Sequence, residues 1–207
     1  MLKFTGQHLR FWQNRKNDWD QAYGSNPEAY LHPHRKLIIE QLQKWKFGSI
    51  CEIGCAAGAN LILIRKCFPR VEIGGCDINA DAIATAKQLL PNAFLDVRPA
   101  TNVYFSDNCV DVVLMDAVGI YHGPRAIRQV VREMKRLARK RVMFVELHEP
   151  SWLKRVAVWL ASGYFLHNWK RILEKEGFDD IELRKIPAHV WPGTPWEQFG
   201  YIITGKI

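Results

Sequence analysis

The sequence lacks the features that would place it in a membrane or an oxidising compartment. No apolar run approaches the ~18–20 residues of a membrane-spanning helix. The opening stretch MLKFTGQHLRFWQNRK is too polar for a secretory signal. Cysteine occurs five times, at Cys51, Cys55, Cys67, Cys76 and Cys109, an odd number without any Cys-x-x-Cys pair. That spacing disfavours zinc and disulfide roles and suits reduced, mostly buried thiols in a cytoplasmic protein. Internal repeats and low-complexity tracts are absent too, which excludes solenoids and disordered linkers. The chain has no Gly-Lys-Ser/Thr of a phosphate-binding loop. A dinucleotide turn starting at Gly54 would need glycine at two further positions, where Ala56 and Ala59 stand instead.

What the chain does have is a core. Of its 207 residues, 48% are apolar and 24% charged, which suits one globular domain over residues 1–207. Apolar runs predict strands at SICEIG, VEIGGCD, NAFLDV, CVDVVLMD and RVMFVEL, with helices over Ala59 to Phe68 and over NADAIATAKQLL, where Asn79 is placed to cap the helix. Strand and helix alternate, which argues for a doubly wound parallel α/β sheet. Residues 6–46 read as helical and rich in aromatics, broken at GSNPEAY, and give an N-terminal helical cap over 1–46. The C-terminal end differs. HNWKRILEKEG is a helix closed by Gly177, and DDIELRKI and FGYIITGKI are strands joined only by residues 187–198, too short a connection for a crossover helix. These last strands therefore pair antiparallel as a hairpin.

The net charge is +8, and eight of the cations lie between Pro124 and Arg141 against one glutamate. Within that segment Ile127, Val130, Val131, Met134 and Leu137 recur at helical spacing, so the helix is amphipathic with a cationic outer face. Such a face is either a solvated surface or an attraction for RNA, acidic lipid or an anionic substrate.

In ICEIGCAAGANL, Ile50 to Leu61, an apolar strand ends in small residues where a helix begins. Small residues let a ligand approach the backbone, and the helix offers its N-terminus. Asp77 ends the second strand 19 residues after Gly58, close to the ~20 expected of an acidic residue that holds ribose hydroxyls. Glu52 adds a carboxylate beside the turn, which suits a cationic ligand better than a pyrophosphate. EIGCAAG followed by GCDIN resembles motif I and the acidic second-strand motif of the class I S-adenosylmethionine (SAM)-dependent methyltransferases. FSDNCVDVVLMDAVGIYH is similar to that family's segment through the fourth strand, and the similarity spans about residues 36–207. The resemblance implies a Rossmann-like sheet of seven strands, the last one antiparallel and inserted between its neighbours. SAM is then the cofactor. Glu52, Gly54 and Gly58 would surround its methionyl part, with Cys55 and Ala56 in the same loop. Ala56 stands where the family usually has glycine. Asp77 would hold the ribose and Ile78 would cover one face of the adenine. Asp96 and Val97 are expected near the adenine amine, although counting back from VYFSDNCVD puts that slot on Pro99.

Transfer from a sulfonium starts from an activated donor, so the protein mainly has to position the acceptor. A general base helps where the acceptor is a hydroxyl or a protonated amine. Residues for this belong at the ends of strands four and five, in MDAVGIYHG and VELHEPSW. Asp116, His122 and His148 are the catalytic candidates, with Tyr121 and Glu149 beside them. No metal is assigned, because the Asp-Asn pair that catechol-type methyltransferases carry at the fifth strand is missing. The absent Asp/Asn-Pro-Pro-aromatic loop sets aside planar amines, and the absent Pro-Cys pair sets aside cytosine C5. Ser151 to Trp169 is rich in Trp, Tyr, Phe and Leu and is expected as a lid within an insertion at 149–169, with Trp12, Trp19, Trp191 and Trp196 closing over the same end. An aromatic lid suits a small apolar or planar acceptor, methylated at oxygen or nitrogen. The alternatives are an RNA or protein acceptor drawn by the +8 charge, or a non-catalytic partner subunit. Intact Glu52, Gly54, Gly58 and Asp77 argue against the subunit. Peripheral membrane contact through residues 151–169 is a further reading, weakened because the apolar residues of that stretch do not fall on one helical face.

Overall fold

The structure, a computed structural model, describes residues 5–207. The first four residues of the expected N-terminal cap lie outside that range. The cap is four short helices, α1 (Thr5–Asn14), α2 (Trp19–Tyr23), α3 (Pro27–Tyr30) and α4 (Pro33–Leu42). Its punctuation is local. The Asp18 and Asn26 side chains accept from Gln21 and Glu28 backbone N–H groups, and Pro27 and Pro33 open α3 and α4.

The remainder follows as β1 (Ser49–Ile53), α5 (Ala59–Cys67), β2 (Glu72–Asp77), α6 (Ala80–Leu89), β3 (Phe94–Val97), β4 (Val110–Asp116), α7 (Ala126–Leu137), β5 (Ala138–Leu147), α8 (Trp152–Ser162), α9 (Trp169–Lys175), β6 (Asp179–Lys185), α10 (Pro195–Phe199) and β7 (Gly200–Lys206). The seven strands form one sheet in the order β3-β2-β1-β4-β5-β7-β6. β7 runs antiparallel between β5 and β6, as the resemblance implied. The connection at 187–198 was expected to be irregular but holds a 3-10 turn, Ala188–Val190, and most of α10. Both are too short to carry a crossover, so the hairpin pairing stands.

The central strands are buried on both faces, and alternate residues feed two cores. Val112 and Leu114 of β4, with Met143 and Val145 of β5, pack toward α4, α5 and α6. Val113, Met115, Val142 and Phe144 pack on the other side toward α7 and α9. The five apolar residues predicted for the inner face of α7 are all buried.

The cationic face of α7 is less open than its sequence suggests. Arg132 pairs with Glu176 at 2.8 Å, Arg136 with Asp107 and Glu133 at 2.7 and 2.9 Å, and Lys135 donates to the Glu176 and Gly177 carbonyls. At the start of β5, Arg139 and Lys140 both reach Asp111, which also accepts from Gly48 N–H at 2.7 Å. Five of the eight cations in this segment are thus held by partners around α7 and at the starts of the central strands.

Candidate active site

The β1–α5 loop is the floor of the site. Gly54 and Gly58 have φ of +78° and +92°, and the Gly54 and Cys55 N–H groups both donate to the Cys76 carbonyl, at 2.7 and 3.0 Å. A Cβ on Gly54 would lie 2.2 Å from a Val118 methyl, so only glycine fits under the loop that follows β4. Ala56 adopts φ +46°, which explains why glycine is the usual residue there, and Ala117, just after Asp116, adopts +58°. Two alanines with positive φ thus line the site, where backbone strain is commonly held by the surrounding structure.

Around this floor is a cavity of about 400 Å3. Glu52, Gly54, Cys55, Ala56, Asp77, Ile78, Asp116, Tyr121 and His122 line it, so most of the residues expected from the sequence come together. Gly58 does not line it; it is the left-handed N-cap of α5. Asp96 and Val97 do not line it either. They lie on the edge strand β3, where Asp96 pairs with Arg98 at 2.8 Å and Val97 is exposed. The chain turns back at Arg98, whose N–H donates to the Asp77 carbonyl at 2.9 Å, and Arg98 and Pro99 line the cavity in their place. His148 and Glu149 are also outside the lining. The His148 ring accepts from Trp169 N–H at 3.2 Å, and Glu149 accepts from Ser151 N–H at 2.8 Å. No group of three or more His, Cys, Asp or Glu side chains among the described residues is arranged to hold a metal.

The roof is a second correction. No residue of 149–169 lines the cavity; the cover comes from the N-terminal helices, through Trp12, Trp19, Tyr23, His32, His34 and Arg35, and from Trp191. α8 lies behind the wall, with Val158 packed against the Ile120, Leu147 and Leu166 cluster. Trp196 supports the roof from outside by packing its ring, tilted by 40°, against Trp191 at 4.6 Å between centroids. One residue ties roof to floor. The Asn79 side chain accepts from Ala82 N–H as the cap of α6, and its amide donates to the Trp12 and Arg15 carbonyls at 2.7 and 3.0 Å.

At the centre is a buried polar cluster of which the sequence showed only half. Asn60 donates to Glu52 at 2.6 Å and to Asp116 Oδ2 at 2.9 Å; His34 Nε2 meets the same Asp116 oxygen at 2.9 Å, stacks on Trp191 at 4.2 Å, and contacts His32 through their Nδ1 atoms at 2.6 Å. Burial pushes the Glu52 carboxyl up to about 8, against the opposing hydrogen bond from Asn60. Burial would raise Asp116 too, but His34, Arg35 and Asn60 overcome it and hold Asp116 ionised at about 2. Burial dominates at His34 and lowers it, with Asp116 pulling the other way. Asp77 accepts from Ala56 N–H and Asn79 N–H, both at 2.9 Å.

Several atoms of this cluster have no hydrogen-bond partner: Glu52 Oε2, Asn60 Oδ1, Asp116 Oδ1 and Arg35 Nε. Buried polar atoms are rarely left so, and an unpaired group costs ~1–3 kcal/mol. Three acceptors beside one guanidinium match the three N–H groups of an ammonium and the neighbouring carboxylate of an α-amino acid. The amino-acid end of SAM therefore fits the residues present, and Asp77 and Ile78 line the same cavity. Asn60 carried a signal in the sequence, as the lone polar residue in the apolar first turns of α5. His34 and Arg35 did not, since they meet Asp116 and Glu52 only through the fold.

Residues 50–141 match the family described as "Methyltransferase domain". Over 104 residues the chain is 32% identical to ribosomal RNA small subunit methyltransferase C of Photobacterium profundum, a match covering 42% of this chain and 30% of that protein. The chain thus spans less than a third of that relative's length in the match. Among solved structures it is similar to magnesium protoporphyrin IX methyltransferase from Synechocystis PCC 6803 with bound SAM. That TM-score is 0.68 at 12% identity, covering 100% of this chain and 98% of the other. It is also similar to the N-methyltransferase NodS from Bradyrhizobium japonicum WM9 in complex with S-adenosylhomocysteine, with a TM-score of 0.67 at 17% identity, covering 99% and 98%. At such identities the likeness to solved structures is one of fold.

Proposed function

We propose that this chain is a class I SAM-dependent methyltransferase, a reading supported by the methyltransferase-domain match over residues 50–141 and by the sheet order, and that it methylates the oxygen or nitrogen of a small, partly apolar or aromatic acceptor. The observation that carries the reading is the cavity wall. Trp12, Trp19, Tyr23, Tyr121 and Trp191 all line the space that continues from the Glu52–Asp116 cluster. Aromatic faces around a few fixed polar groups suit a planar or apolar ligand.

Bound SAM supplies a methyl group on a sulfonium, ready for in-line displacement. The chain's part is to bind, orient and take up a proton. Glu52, Asn60 and Asp116 offer acceptors to a cation, and the Ala56 and Ala117 turns set the loop backbones on either side. His122 is the proposed base. Its Nδ1 bonds the Val118 carbonyl at 2.9 Å, which leaves Nε2 with its lone pair. Burial holds the ring below its ordinary value, so it is neutral at pH 7 and able to accept a proton from a hydroxyl or ammonium acceptor.

An RNA acceptor is the second reading, favoured by the likeness to the ribosomal RNA enzyme. The pairing of most cations around α7 counts against it. A screen of SAM turnover with phenols, heterocyclic amines and total RNA, each at low and high salt, separates the two. Salt-tolerant turnover with a small aromatic supports the proposal. Turnover with RNA alone, falling steeply with salt, overturns it. Silence with every acceptor despite SAM binding points to a non-catalytic partner. His122→Ala is expected to slow turnover ~100-fold, within the usual range for a lost general base, and to leave S-adenosylhomocysteine affinity unchanged.

A further inference from the structure

Helix α8 presents its apolar side to solvent. No residue of it is buried, and Trp152, Leu153, Val156 and Leu160 are 64%, 61%, 43% and 57% exposed. Nine large apolar side chains stand exposed among the described residues, and four of them are on this one helix. At about 100° per residue those four fall within an arc of roughly 100°. Val158 and Trp159 of the same helix lie outside that arc, so the apolar residues of 151–169 do not share one face, as expected; it is the exposed ones that do. The helix ends at Ser162, and the aromatics beyond it no longer count toward its faces. The flank of α8 beside the stripe is half-buried through Arg155, Val158 and Trp159, with Trp159 stacked on Phe165.

A cationic cleft of about 230 Å3 adjoins the stripe. Arg155 of α8, one turn after Trp152, lines it with Arg128 of α7 and Arg171 and Lys175 of α9, and no carboxylate lies in its wall. Arg155 donates to the Glu149 and Pro150 carbonyls. The side chains of Arg128, Arg171 and Lys175 have no hydrogen-bond or ion-pair partner among the described residues, unlike Arg132, Arg136, Arg139 and Lys140. Gathering four cations without a counter-charge is unfavourable unless an anion joins them.

We propose that α8 and this cleft form a docking face for an anionic phospholipid bilayer. The apolar stripe lies in the interfacial region, with α8 parallel to the surface, and the cleft receives the phosphate of an acidic headgroup. Charge complementarity selects this occupant, because a bilayer offers acyl chains to the stripe and anionic phosphates to the cleft. Tryptophan beside arginine at the end of an apolar stripe is the pattern of the membrane–water boundary. No helix of the described residues is long and apolar enough to cross a membrane, so the contact is peripheral. This inference stands apart from the acceptor chemistry and holds whatever is methylated.

The test is flotation of the whole chain with phosphatidylcholine vesicles and with vesicles that also contain phosphatidylglycerol. Co-flotation is expected with the anionic vesicles and not with the neutral ones. Leu153→Ser/Leu160→Ser and, separately, Arg128→Gln/Arg171→Gln should each lower the partition coefficient about tenfold or more, with the thermal midpoint unchanged. Failure to float with anionic vesicles overturns the proposal. So does flotation that neither pair of substitutions weakens. If sedimentation in the absence of lipid shows a dimer that Leu153→Ser/Leu160→Ser dissolves, the stripe is covered by a second copy instead and the proposal fails.

Discussion

Two aromatic-rich helical segments flank the sheet, and they face opposite ways. The N-terminal helices turn Trp12, Trp19 and Tyr23 inward over the cavity, whereas α8 turns Trp152 and Leu153 outward. Composition does not separate them. What separates them is the polar anchoring each receives. Asn79 grips the end of α1, and Asp116 holds His34. α8 rests on its half-buried inner side, and the polar ties of its side chains to the body lie at its start, near Glu149. Buried polar partners fix the direction in which an aromatic surface faces, and without them the surface is left for something else to cover.

The comparison can be broken most severely at Asn79. Asn79→Ala removes the cap of α6 and the side-chain hydrogen bonds to the Trp12 and Arg15 carbonyls at the α1 terminus. A loss of about 2–3 kcal/mol is expected in urea unfolding, with faster amide exchange in α1 and α2. Retention of full stability would mean that the roof is held by its aromatics alone. Next in size is the floor. Asp77→Ala is expected to weaken S-adenosylhomocysteine binding by about 1–2 kcal/mol, on the scale of a lost charge-assisted hydrogen bond. An unchanged affinity by calorimetry would remove Asp77 from the site.

Acidity gives a further test through buried groups, of which His32 and Glu52 line the cavity while Glu146 and His167 lie behind its wall against Gly119. Burial lowers His32 and His167 from 6.5 to about 4, so their stabilisation is present above 6.5 and is lost as pH falls toward 4. Glu52 and Glu146 are raised by burial from 4.5 to about 8, so theirs is present below 4.5 and is lost as pH rises toward 8. Above pH 6.5 only the carboxyl effect remains, and the thermal midpoint should fall between 6.5 and 8. Glu146→Gln keeps an acceptor for the Val118 and Gly119 N–H groups and should flatten that fall. A midpoint that is level across the alkaline window in the parent chain would contradict it. The smallest effect belongs to α8. Leu153→Ser should alter stability by less than ~0.5 kcal/mol, as for an exposed position.

Much of this was legible in the sequence because it was local. β1 and β4 are apolar runs, and α7 carries a clean helical period, so the parallel part of the sheet could be read directly. The floor was legible because Glu52, Gly54 and Asp77 occupy fixed places relative to two strands. The roof was not. His34 reaches Asp116 across 82 residues and Asn60 reaches it across 56, and no spacing rule connects them. His148 was misplaced for a related reason. It follows a strand that ends near the site, yet its ring is claimed by the Trp169 backbone, a contact invisible from either segment alone. The direction of α8 was hidden because inward and outward apolar faces share one composition.

The central claim is that the unpaired atoms of Glu52, Asn60, Asp116 and Arg35 await the amino-acid end of SAM. The most direct measurement is a calorimetric titration of the chain with S-adenosylhomocysteine, with NAD in parallel and Glu52→Gln as the comparison. The account predicts saturable binding of S-adenosylhomocysteine, no heat from NAD, and weaker binding after the substitution. Binding of NAD, or S-adenosylhomocysteine affinity indifferent to Glu52, would contradict it.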